Sequence, residues 1–156
     1  MKEIPLQLWN QPHWELKGRW DVPLFFSHIK EVLPSATSLF VEGSSMAKDV
    51  GDFLRSAAEP GSYLPTRQTL WPRSQQYRLR FTDFTLATLA ELAGRHAEPE
   101  MFDHLFVYEG PKVLLEFPDA FAKNCPAFFS REAITEERVR NLAALLGLEI
   151  TGSTGS

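Results

Sequence analysis

The run Gly43, Ser44, Ser45, Met46, Ala47 follows the apolar residues Leu39, Phe40 and Val41. A strand, a tight turn of this kind and then a helix is the layout that lifts a reactive serine out of the backbone in G-x-S-x-G hydrolases. Ser45 would be the nucleophile. A relay would then need Asp83 or Asp103 with His96 or His104. Ala47 crowds the place of the second glycine, and only about forty residues precede the turn, too few for the usual sheet before the nucleophile.

The same turn could hold an anion, because a helix N-terminus offers unpaired N–H groups and partial positive charge. Ser44 and Ser45 would then act with Arg78 and Arg80 as the anion-binding set of a small hydrolase or ligand binder. The phosphate-loop spacing is missing, and Lys48 falls inside the first helical turn. The plainest expectation is that Ser44 or Ser45 caps the helix.

Charge is segregated along the chain. No acid falls between Glu59 and Asp83, where Arg67, Arg73, Arg78 and Arg80 stand. Arg78 and Arg80 would project from one strand face, with Trp71 or Tyr77 available for base stacking. The chain carries 20 acids against 16 lysines and arginines, a net charge of −4, unlike a typical nucleic-acid binder. From Glu91 to Asp119 acids dominate, with Glu98, Glu100, Asp103 and Glu109 among them. Such asymmetry points to a basic partner.

His13, His28, His96 and His104 are scattered without a metal-ligand spacing, so no metal or cofactor is expected. His28 falls on an apolar helical face and reads as a core histidine. The single Cys125 excludes an intramolecular disulfide and reads as a small buried hydrophobe in a reducing compartment.

These groups need elements to position them. Residues 1–20 are rich in tryptophan and broken by proline, which suggests an aromatic flap or a short strand. Asp21 caps a helix carrying Phe25, Ile29 and Val32 on one face, ended by Pro34. A second helix starts near Ser45, and Gly51 within it costs about 1 kcal/mol relative to alanine. Residues 76–81 alternate as a strand, and Thr82 or Asp83 caps a third helix closed by Gly94. The segment 104–108 is apolar on both faces and reads as a central strand, paired in a hairpin with 113–117. Residues 120–129 read as an irregular connector. Thr135 caps a last helix, with Gly147 beyond its end.

Helices alternate with strands before the hairpin, which predicts a single layered α/β or α+β domain over residues 21–150. Its mixed sheet would have four or five strands with about four helices packed on it. Residues 151–156 read as a flexible polar tail outside the fold. The composition is that of an ordinary globular protein, and no apolar run reaches the about 18 residues of a membrane span. A cytoplasmic location is expected. The expected function is a non-enzymatic domain that docks a basic protein through Glu98, Glu100, Asp103 and Glu109. An immunity-type inhibitor of a toxin or nuclease is one concrete version.

Overall fold

The computed structural model describes residues 7–59 and 75–153, apart from the side chains of Trp9, Glu98, Pro99 and Ser153. Its strands are β1 (His13–Lys17), β2 (Ser38–Gly43), β3 (Gln75–Arg80), β4 (His104–Glu109), β5 (Lys112–Phe117), β6 (Ala127–Ser130) and β7 (Glu149–Ser153). Its helices are α1 (Val22–Val32), α2 (Lys48–Ala57), α3 (Asp83–Ala93), the single-turn α4 (Glu98–Met101) and α5 (Glu136–Leu146).

Local chemistry sets most helix starts. Asp21 accepts the Leu24 N–H at 3.1 Å, Thr82 that of Thr85 at 3.2 Å and Thr135 that of Arg138 at 3.3 Å. Each satisfies a donor that the first turn leaves without a partner. Gly147, with φ of +70°, closes α5 in the left-handed conformation that glycine adopts at little cost.

The seven strands form one sheet in the order β3-β2-β4-β5-β6-β1-β7, and every neighbouring pair is antiparallel. The expected mixed sheet of four or five strands is therefore corrected to an antiparallel sheet of seven. A helix in a connection lengthens it but does not fix strand direction: β2, α2 and β3 follow in sequence, yet β3 lies antiparallel beside β2. Two strands were hidden in segments read as a connector or a tail. β1 falls in the segment read as a flap or a short strand and lies between β6 and β7, while β6 occupies the expected connector. β7 takes in Thr151, Gly152 and Ser153 of the expected tail.

The two faces of the sheet differ. Leu39, Val41, Leu105, Val107, Leu115 and Phe129 join the apolar faces of the four long helices in the main core. Phe40, Phe106, Tyr108, Val113 and Phe128 form a second cluster on the opposite face, with Leu8 from a 3-10 turn at Leu8–Asn10. β4 is buried from His104 to Tyr108, as its doubly apolar pattern predicts. Among the described residues no helix is long and apolar enough to cross a membrane.

Candidate functional site

The serine turn ends β2 and is tied to the chain that enters β4. Ser44 donates both its N–H (3.0 Å) and its hydroxyl (2.9 Å) to one Asp103 carboxylate oxygen. Beside this latch the Asp103 N–H donates to the Glu42 carbonyl and the Ala47 N–H to the Glu100 carbonyl, both at 2.8 Å. Gly43 is needed for closeness: a Cβ there would lie 3.1 Å from the Phe102 Cα. α2 begins only at Lys48, with Ala47 at its cap and no side-chain cap bond. The expected serine cap is therefore corrected, because Asp103 takes the Ser44 hydroxyl and Ser45 is exposed.

Asp103 is half-buried, and removing it leaves two donors unsatisfied. Asp103→Ala should cost about 2–3 kcal/mol and Ser44→Ala about 1 kcal/mol, read from urea unfolding. The double variant should cost less than the sum, since both changes break the same latch.

The groups proposed for a serine relay are engaged elsewhere. Asp103 binds Ser44, the Asp119 N–H donates to His104 Nδ1 at 3.0 Å, and His96 faces carboxylates. The arginines of the anion set do not reach the turn. Arg80 lies opposite Ser38 and Arg78 opposite Phe40, whereas Gly43 pairs with Gln75, which separates Arg80 from Ser44 by about 17–20 Å along the strands. Arg80 Nε bonds Glu59 at 2.9 Å, and the half-buried Arg78 keeps its Nε without a hydrogen-bond partner among the described residues. A polar cleft of about 170 Å³ does open at the turn, lined by Ser44, Lys48, Arg55 and Gln75. Lys48 and Arg55 there both pair with Asp52. Arg67, Trp71 and Arg73 lie outside the described residues, as does the Glu98 side chain.

The acidic set divides. Glu109 ends β4, a whole strand away from Asp103, and accepts the Ser35 hydroxyl at 3.1 Å. Glu100 remains near Asp103 and joins Glu91 of the same acidic stretch and Asp49, which sequence order did not associate with it. Asp49 comes from α2 and Glu91 from α3. His96 Nε2 lies 2.7 Å from Asp49 Oδ1, a close approach without hydrogen-bond alignment, and its Nδ1 lies 3.5 Å from Glu100 Oε1. Arg95 reaches Asp49 at 3.8 Å and pairs with Glu91. Three carboxylates thus share one guanidinium and one imidazole. The pairing of α2 with the end of α3 had no sequence signal beyond the excess of acids after residue 91.

The Asp49 contact is the main cause raising the His96 pKa above its ordinary 6.5, and the same contact lowers Asp49 below 3.8. The histidine's contribution to stability is therefore complete below pH 6.5 and is lost as pH rises through its raised folded value. That of Asp49 is complete above pH 3.8 and is lost as pH falls through its lowered one. Urea unfolding across the neutral range should show a decline on the alkaline side that His96→Gln removes.

Two other sequence expectations change. His28 is half-exposed in a cleft of about 270 Å³ between α1 and α5, so the buried histidines are His13 and His104 instead. Cys125 is half-buried. Among the described residues no three His, Cys, Asp or Glu side chains gather as a metal would require. No protein-family model matches the chain, and no curated protein or solved structure matches it.

Proposed function

We propose that this chain is a non-enzymatic binding domain that docks a basic protein through the acidic end of the α2, α3 and α4 surface. The carrying observation is the convergence of Asp49, Glu91 and Glu100 from three helices around Arg95 and His96. The surface holds more carboxylate than its own cations neutralise, and such a surface attracts and orients a positive partner. Inhibition of a basic toxin or nuclease in the manner of an immunity protein is one form this docking takes, because carboxylates can stand where such an enzyme expects phosphates.

The fold narrows which acids should be tested. Asp103 latches the serine turn, so its loss would damage structure, and Glu109 lies at the far end of β4. Glu91 and Glu100 are exposed and suit charge reversal. The chain should capture a stoichiometric basic protein from lysate of its own cells, released as salt rises. The Glu91→Lys/Glu100→Lys double variant should lose about tenfold or more of that capture, since like charges brought together are costly. Unchanged capture by a folded double variant would refute the acidic docking surface.

A further inference from the structure

The same surface carries an exposed aromatic ring beside its acids. Phe84 is 73% exposed, and its ring meets that of Phe53 edge-on with centroids 6.4 Å apart. Phe53 in turn packs against the main core. Phe84 is the one exposed aromatic ring among the large hydrophobic side chains described, and a rigid aromatic backed by a second ring is the type of group that anchors protein interfaces.

Its position relative to the acids is fixed by helix geometry. Phe84, Thr88, Glu91 and Arg95 follow at intervals of four, three and four residues, so they line one stripe of α3 and its end. α2 runs antiparallel beside it, since Phe53 meets Phe84 while Asp49 meets Arg95. The surface therefore has an aromatic step at one end and carboxylates about 10 Å further on, two helical turns away. A partner helix that carries an aliphatic side chain and, two turns along, lysine or arginine matches both ends at once.

From this arrangement we infer that the α2–α3 face docks a basic amphipathic helix of the partner protein. An aliphatic anchor sits on Phe84 and Phe53, and cationic side chains meet Asp49, Glu91 and Glu100. The inference rests on the docking reading and adds the anchor, the partner's secondary structure and the spacing of its groups.

The test uses the full chain, labelled with nitrogen-15, and two synthetic helical peptides of about eighteen residues. Both carry the same lysines. One has leucine two turns before them, and the other has serine there. The leucine peptide should shift the amides of residues 49–53 and 84–95 and bind about tenfold tighter than the serine peptide. Phe84→Ser, an exposed change expected to leave thermal unfolding unaltered, should make the two peptides equal. Glu91→Lys/Glu100→Lys should weaken both.

If Phe84→Ser keeps the leucine preference while charge reversal weakens both peptides, the aromatic anchor is refuted and acidic docking stands. If neither variant alters binding, or if neither peptide shifts this face, both fall. Dimerisation of the free chain that Phe84→Ser abolishes would assign the face to a second copy and overturn the partner named here.

Discussion

Phe121→Ala should destabilise the fold by about 4 kcal/mol, within the range measured for emptying a buried phenylalanine site. The ring is at the centre of an aromatic cluster, with centroids 5.0 Å from Phe117, 5.2 Å from Phe25 and 5.6 Å from Phe26. Trp20 and Phe102 complete the cluster at 6.0 and 6.2 Å. These partners come from α1 and its approach, the end of β5 and the chain before β4, so one side chain joins segments far apart in sequence. Its backbone has φ of +70°, a left-handed conformation that costs a non-glycine residue about 1–2 kcal/mol. Burial of the ring offsets that cost, and alanine would keep the strain while losing the burial. For a chain of this length the loss should lower Tm by about 8–16 °C. Phe121→Leu, which refills part of the space, should lose less than half as much. Calorimetry on the two variants checks the order, and equal losses would show that the ring contacts, rather than filled volume, hold this site.

Glu116→Ala should cost about 3 kcal/mol for a different reason. Glu116 is 1% exposed on the second face of the sheet, where a charge is costly unless it is well bonded. Its carboxylate accepts the Leu8 N–H at 2.7 Å and the Gln7 N–H at 2.9 Å, from a turn more than a hundred residues earlier. Alanine would strip both amides of their acceptor and free Leu8 from the cluster of Phe40, Phe106 and Phe128. Hydrogen exchange at Gln7 and Leu8 should accelerate first, ahead of β4. Burial raises the Glu116 pKa against the pull of the two amides and His13. The folded state therefore binds this proton more tightly than the unfolded chain does. That contribution is complete below the ordinary carboxylate value of 4.5 and is lost as pH rises through the folded one. Glu116→Gln keeps one acceptor, so it should cost less than alanine and remove this pH dependence. Tyr108 on the same face also has its pKa raised, first by burial and then by Glu116.

Much of the local architecture is legible in the residues themselves. Asp21, Thr82 and Thr135 cap helices as their positions predict, because a cap bonds a backbone group only three residues away. The hairpin of β4 and β5 and the central place of β4 follow from an apolar pattern on both faces and a glycine turn. The charge segregation is likewise written in the chain. The full sheet is not, because strand partners are distant and short strands carry little periodicity. Ala127–Ser130 is buried on both faces and offers no alternation to read, and β7 ends in Thr151, Gly152 and Ser153, which look like a linker. Only tertiary structure brings Ser44 to Asp103 across 59 residues, turning an expected cap or anion ligand into a latch. It likewise gathers Asp49, Glu91 and Glu100 on one surface while sending Glu109 to the far end of β4. Residue types and caps act over a few positions and are therefore visible in sequence. Which carboxylate meets which donor depends on how the helices settle on a seven-stranded sheet.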